Sequence, residues 1–355
     1  MLLPRLAGGN RRKKWGELMR NHVNRQVRLK SRPVGIPQAE HFEIVETPVP
    51  AADRGQLVVR NRFLSVDPAM RGWVNAAANY SKPVEIGAVM RSFAVGEVIE
   101  SQHSDYMAGD IVTGMLGWQD YALSDGSHIN RKVSETDLPM SLALGVLGLN
   151  GVTAYWGLLG VGQPTAGETV LVSTASGSVG SAVGQIAKIK GCRAVGIAGG
   201  ADKVKDCLSL FGYDAAIDYK AEKDLDAAIQ RACPKGVDVY FDNTSGAISD
   251  AVLRNLAVRA RIVICGTASQ PSWDPWPVGP RVERHILVKR ARMEGFLAFD
   301  WEDKYEEAIA QLAQWVREGK LKYQEDVLDG IEQAPGAIAG LYRGDNRGKR
   351  LIKLE

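Results

Sequence analysis

The residues in this chain whose types and spacing could do chemistry are concentrated in one short run, Ala175-Ser176-Gly177-Ser178-Val179-Gly180. Before it stands a β-favouring stretch, Thr169, Val170, Leu171 and Val172, entered from Gly167. After it comes SAVGQIAKIKG (181–191), which places Val183, Ile186, Ala187 and Ile189 on one side of a helix. CRAVGIAGG (192–200) reads as the next strand. Strand, glycine turn, helix and strand within about thirty residues make the unit that holds a dinucleotide. Gly177 would let the backbone approach a pyrophosphate, and Gly180 would let helix and strand pack closely. The free N–H groups at the helix start would hold the phosphate charge. The first glycine of the usual pattern is Ala175 here, so an ordinary strand-to-helix turn is the competing reading.

The end of the second strand selects between dinucleotides. A site for the unphosphorylated cofactor usually ends that strand with a carboxylate for the ribose hydroxyls. Here it ends in Ala198, Gly199 and Gly200, and Asp202 comes later with Lys203 beside it. A small neutral strand end next to a lysine suits a 2′-phosphate, so NADPH/NADP+ is the expected cofactor.

Other chemistries find less support. The four cysteines, Cys192, Cys207, Cys233 and Cys265, include no CxxC pair, and the five histidines are scattered without an HxxxH. Catalytic zinc needs three convergent ligands, so no metal is expected. No G-x-S-x-G elbow is present, and hydrolase chemistry is set aside. The net charge of +3 singles out no charged partner, and no basic cluster interleaves with aromatics as a nucleic-acid groove requires. No apolar run reaches the roughly 18 residues of a membrane span. Residues 1–18 are basic and lack the apolar core of a secretion signal. They read as a tail, a transit-like segment or an extension ahead of a start at Met19. Scattered cysteines without a signal peptide point to a reducing cytoplasm.

The elements that must position the glycine turn follow from periodicity. At 355 residues two domains are expected. From Arg25, short strand-like runs separated by Gly and Pro (41–50, 55–68, 92–101, 108–118, 119–125) suggest a small barrel-like β domain. Helical apolar spacing takes over at 137–162. Helix and strand then alternate through 204–220, 225–246 and 248–267, with a last strand at 291–298, which means a parallel, doubly wound α/β sheet. A long amphipathic helix at 303–321 leads out, and RLIKLE (350–355) could return to the first domain as a strand. PSWDPWPVGP (271–280) lies beyond a sheet strand and reads as a lid, a subunit contact or a rigid surface loop.

Seven strings, in order, carry a family resemblance: SVDPAMRG (65–72), SLALGVLGLNGVTAY (141–155), STASGSVGSAVGQIAKIKGC (173–192), FDNTSG (241–246), RIVICGT (261–267), RMEGF (292–296) and GDNRGK (344–349). Together they resemble the zinc-independent medium-chain dehydrogenase/reductases. Within these they resemble the NADPH-dependent alkenal/one oxidoreductases, the branch of leukotriene B4 12-hydroxydehydrogenase/prostaglandin reductase, plant double-bond reductases and curcumin reductase. The resemblance implies a Rossmann domain (147–321) inserted in a GroES-like β-barrel domain built from both chain ends (20–146 and 322–355), after a tail at 1–19. It places Gly177, Ser178, Val179 and Gly180 on the pyrophosphate and Lys203 and Tyr219 on the 2′-phosphate. Asn243 supports the cofactor, and Cys265, Gly266 and Thr267 line its path. The backbone of Phe296, Leu297 and Ala298 meets the carboxamide, and Asn346 reaches back from the closing segment.

Two departures stand out. Ala69 occupies a position that is tyrosine in many relatives, and Val288 occupies a second. Tyr80 is then the nearest phenol by pattern and the candidate proton donor, with a cofactor ribose hydroxyl or water as alternatives. The implied activity is reduction of the C=C bond of α,β-unsaturated ketones or aldehydes. A quinone reductase and a non-catalytic NADPH-binding protein are the competing readings. A homodimer is expected, with RMEGFLA as an edge strand in need of cover.

Overall fold

The computed structural model describes residues 22–76, 81–270 and 277–355. The chain divides into two compact units. One holds the described residues up to Leu144 with Asp326–Asn346 and Arg350–Glu355; the other holds Gly145–Glu325 with Arg347–Lys349.

The first unit is built from short antiparallel strands. β1 (Val23–Leu29) pairs with β2 (Phe42–Pro48), and β3 (Leu57–Ser65) pairs with both β4 (Ala94–Ser101) and β6 (Tyr121–Ser124). β5 (Ile111–Gly114) joins β4 to β7 (Ile129–Lys132), a strand that the sequence pattern did not announce. Alternation sends Val27, Leu29, Leu57, Val59 and Val98 into one core around the fully buried Trp118. The Trp118 indole N–H donates to the Ser65 carbonyl at 3.0 Å, so the large ring is buried without an orphaned donor. The short α1 (Met70–Trp73) follows Pro68, and the Arg71 guanidinium lies 4.7 Å over the Tyr342 ring.

The second unit starts with helix. Within the stretch 137–162, a 3-10 turn (Met140–Leu144) still belongs to the first unit; α2 (Leu149–Trp156) follows and continues as a π turn at Gly157–Gly162. Then come β8 (Thr169–Ser173), α3 (Ser178–Ile189), β9 (Arg193–Ala198), α4 (Ala201–Ser209) and β10 (Ala215–Asp218). The second half runs through α5 (Leu225–Ala232), β11 (Val237–Asp242), α6 (Gly246–Arg254), β12 (Leu256–Ile264), α7 (Glu283–Lys289), β13 (Arg292–Gly295) and α8 (Tyr305–Arg317). The six strands are parallel in the order β10-β9-β8-β11-β12-β13. Chain order reverses between β8 and β11, the switch point at which doubly wound sheets bind ligands. β8 is buried along its whole length, as its near-continuous apolar run requires when helices cover both faces.

The chain then returns to the first unit. β14 (Glu325–Asp329), α9 (Ala334–Arg343) and β15 (Lys349–Lys353) follow, and β15 pairs antiparallel with β3. The sheet so completed runs β14-β15-β3-β4-β5-β7. α7, α9 and β14 were not read from the sequence; each is short, and α7 buries no residue in the chain, so its apolar period is weak.

Candidate functional site

The glycine turn forms because its neighbours leave no room for side chains. A Cβ on Gly180 would lie 2.2 Å from the Thr174 carbonyl oxygen, and one on Gly177 would lie 2.9 Å from Thr174 Cγ2. Thr174 itself is in the left-handed region at φ 53°, a costly conformation for a β-branched residue and one that concentrates at functional sites. The turn closes when the Gly177 N–H donates to the Thr174 carbonyl at 2.9 Å. Gly177 is the N-cap of α3 and supplies no side-chain acceptor. The first-turn N–H groups of Ser178, Val179 and Gly180, which have no intrahelical partner, are therefore presented as an anion cradle.

Ala175 is accommodated by a partner that the motif does not mention. A Cβ on Gly196, in the middle of β9, would lie 2.7 Å from the Ala175 Cβ. The glycine missing from the turn thus reappears on the adjacent strand. A lone glycine in the strand pattern AVGIA was the available signal.

The strand end expected to read the ribose phosphate carries no acid. Gly199 lies under the Tyr219 ring, where an added Cβ would come 2.8 Å from Cε1, and the Tyr219 N–H donates to the Ala198 carbonyl at 3.1 Å. Gly200 takes φ 102° with open space beside it. The Asp218 Oδ1 at the end of β10 accepts from the Gly200 N–H at 2.9 Å and the Lys220 N–H at 3.0 Å, fixing this turn. Lys203 follows in the first turn of α4, half-buried. Asp206 on the same helix accepts two hydrogen bonds from Arg347, at 3.0 and 2.5 Å, which ties α4 to Arg347–Lys349. That hydrogen bond and the Asp206 charge hold the guanidinium above its ordinary pKa. Gly348 bridges in parallel to Gly177.

At β11 and β12 the site is braced by a carboxylate that the sequence reading passed over. Asp242 is buried among neutral hydrogen-bond donors. Its Oδ1 accepts from the N–H groups of Thr244 (2.9 Å) and Ser245 (2.8 Å) and from the Tyr240 hydroxyl (3.0 Å); its Oδ2 accepts from Ser249 Oγ (2.5 Å). Several short donors solvate the charge, as burial demands. Burial and this carboxylate push the Tyr240 phenol well above its usual range. Asn243 donates Nδ2 to the Ser173 carbonyl at 2.7 Å and its N–H to Ser173 Oγ at 2.8 Å, locking β8 to β11 at the switch point. The N–H groups of Cys265 and Gly266 donate to the Asp242 carbonyl at 2.8 and 3.0 Å, so the segment with Thr267 leaves β12 along the end of β11. Burial and the Asp242 charge push the Cys265 thiol up to about 12, which removes it as a nucleophile at neutral pH.

Phe296, Leu297 and Ala298 follow β13. The Leu297 N–H is taken by the Asp300 carboxylate at 2.9 Å, so a ligand at this backbone must compete with Asp300 there. Asn346 is counted in the first unit, immediately before Arg347. Ala69 caps α1 and packs on the first unit's core, and Val288 is exposed on α7. Tyr80 lies outside the described residues, as does most of the Pro/Trp-rich loop (271–276).

The fold is that of the medium-chain dehydrogenase/reductases, with a dinucleotide turn at the switch point of its Rossmann sheet. The family model described as "N-terminal domain of oxidoreductase" matches residues 25–131, and that described as "Zinc-binding dehydrogenase" matches 178–314. The NADPH-dependent curcumin reductase of Escherichia coli is 43% identical over 93% of this chain and 97% of its own. The NADP(+)-dependent 2-alkenal reductase of Nicotiana tabacum is 40% identical over the same shares, 93% and 97%. The crystal structure of CurA from Vibrio vulnificus in complex with NADPH superposes with a TM-score of 0.88 at 42% identity, covering 93% of this chain and 99% of that one. The chain belongs to the alkenal/one oxidoreductase branch of the medium-chain dehydrogenase/reductase family. Among the described residues, no three His, Cys, Asp or Glu side chains are grouped to hold a metal ion.

Proposed function

We propose that the protein is an NADPH-dependent reductase that saturates the C=C bond of α,β-unsaturated ketones and aldehydes and leaves the carbonyl intact. The observation that carries this is the match, over 93% of the chain, to reductases of such substrates, joined to a glycine turn ahead of α3 and a neutral strand end. This reading assigns the uncapped helix start to the pyrophosphate, Lys203 and Tyr219 beside the small strand end to the 2′-phosphate, and Asn243, Cys265, Gly266, Thr267, Phe296, Leu297, Ala298 and Asn346 to the remainder of the cofactor. When bound, the cofactor supplies hydride to the β-carbon. The protein orients the nicotinamide end and excludes water. Charge that develops on the enone oxygen is spread over that oxygen and the α-carbon, so a few hydrogen bonds in a dry cleft stabilise it without a metal. Tyr80 is the candidate phenol for the proton; a solvent-derived proton reaches the α-carbon in either case.

The test uses NADPH deuterated at the transferred position and a simple enone, with the product read by NMR. Deuterium at the β-carbon of a saturated ketone is expected. Deuterium on the carbinol carbon of an allylic alcohol would overturn the assignment, and turnover with quinones alone would move it to quinone reduction.

The reading includes a homodimer in the cytoplasm. β13 is the last strand of its sheet and all four of its residues are exposed. Exposed Met293 lies in it and exposed Leu297 follows it, and α7 exposes Leu287 and Val288, surface that a second copy would cover. Light scattering at micromolar concentration should give twice the chain mass. The four cysteines form no disulfide, which suits a reducing compartment. No helix among the described residues is long and apolar enough to cross a membrane.

A further inference from the structure

The π turn at Gly157–Gly162 follows α2 directly, and its residues Gly157 and Gly160 carry no side chains. Its glycines touch the aromatic residues around Phe296. A Cβ on Gly157 would lie 2.4 Å from Phe296 Cζ, 2.9 Å from Phe296 Cε1 and 2.9 Å from Phe241 Cε2. One on Gly160 would lie 3.2 Å from Trp301 Cζ2. The Phe296 ring meets Phe241 edge-on at 6.3 Å and Trp301 at 5.6 Å, and Trp301 stacks nearly parallel on Trp156 at 6.2 Å. Phe241 is fully buried in β11. The Phe296 ring is thus packed against Phe241 and Trp301 as well as against Gly157.

The turn is also anchored. Arg292 donates to the Val161 carbonyl at 2.6 Å, and Arg261 donates to those of Gly162 and Gln163, both at 2.9 Å. These arginines sit on β13 and β12, the strands that lead to Phe296 and Cys265. Carbonyls left over by the widened turn are satisfied by the two strands whose ends form the far half of the site.

We propose that Gly157 and Gly160 are positioning residues: the glycine face of the π turn seats the rings of Phe296 and Trp301 and so sets the 296–298 backbone for the nicotinamide end of the cofactor. The proposal rests on the NADPH reading above. It assigns the π turn to the hydride-transferring end only, and the adenosine end depends on other elements, α3 and α4.

The experiment compares Gly157→Ala, Phe296→Leu and the double variant Gly157→Ala/Phe296→Leu with the wild type. Two ligands are titrated: NADPH, and adenosine 2′,5′-bisphosphate, which carries the 2′-phosphate end without the nicotinamide. Gly157→Ala should weaken NADPH by about tenfold and leave the bisphosphate within about twofold. Hydride transfer in a single turnover should slow by about a hundredfold, the scale of an ångström-sized misplacement. The double variant, with the ring tip removed, should recover most of both losses. Should Gly157→Ala fail to fold, Gly160→Ala carries the same comparison, with about a threefold effect on NADPH and none on the bisphosphate. Parallel losses for both ligands, no loss for either, or a double variant no better than Gly157→Ala would overturn the proposal. If the wild type reduces no enone, the activity assignment fails, while the paired titrations still judge the glycine seat.

Discussion

Replacing Gly196 with alanine tests how this turn tolerates Ala175. The new methyl would stand 2.7 Å from the Ala175 Cβ and 3.3 Å from Tyr213 Cδ1. Carbon atoms rest at about 3.5–4.0 Å, so the overlap is roughly 1 Å. Neither side can easily yield. Gly196 sits in register with Val172 on β8 and Ala216 on β10, and the Ala175 N–H is bonded to the Ile197 carbonyl at 3.0 Å. Overpacking of this kind costs about 1–3 kcal/mol, offset by the roughly 0.5–1 kcal/mol that alanine gains over glycine in a strand. A net loss of about 1–2 kcal/mol is expected for Gly196→Ala. Ala175→Gly alone should cost about 1 kcal/mol through the lost methyl and added chain entropy. The double variant should cost less than the sum of the two, with a coupling of about 1–2 kcal/mol. Denaturant unfolding of the four proteins measures the cycle, and NADPH titration reads its effect on the turn. A Gly196→Ala protein as stable as wild type, or two losses that simply add, would refute the compensation.

Lys203→Ala should weaken NADPH by about 1–3 kcal/mol, the scale of a charge-assisted hydrogen bond, and leave NADH nearly unchanged; equal losses for the two cofactors would remove Lys203 from the phosphate. Glu168 is half-buried against Arg261, which bonds it at 2.8 and 2.5 Å; partial burial raises its pKa, but the Arg261 and Thr165 hydrogen bonds outweigh it and hold the carboxyl below its ordinary value. A depressed folded pKa stabilises above the unfolded value and is lost as pH falls through the folded one. Glu168→Gln should therefore cost about 1–2 kcal/mol in unfolding at pH 7, a difference that closes under acid below about pH 4. Alkylation of Cys265 in the native protein should be far slower than that of free cysteine at pH 8.5, because a thiol pushed up to about 12 is thiolate in less than about one part in a thousand there. Prolonged chelation should leave activity intact, and one zinc per chain lost together with activity would contradict the absence of a ligand group among the described residues.

The sequence by itself determined the class of the fold and the location of the nucleotide turn. Periods of 2 and 3.6 are local, and so are the sterics of a glycine turn; a run such as TVLVS followed by small residues and an amphipathic helix admits few other conformations. The absence of an acid after Ala198 was equally legible, because the strand end reads the ribose from a fixed distance along the chain. Tertiary structure alone decided what surrounds these local signals. Gly196 replaces the turn's missing glycine because β9 lies beside β8, which brings Ala175 against a residue 21 positions further along the chain. Donors from β8, β11 and α6 converge on Asp242. Gly157 faces Phe296 across 139 residues of chain. Each contact depends on distant segments meeting at ångström separations, and no local period encodes that.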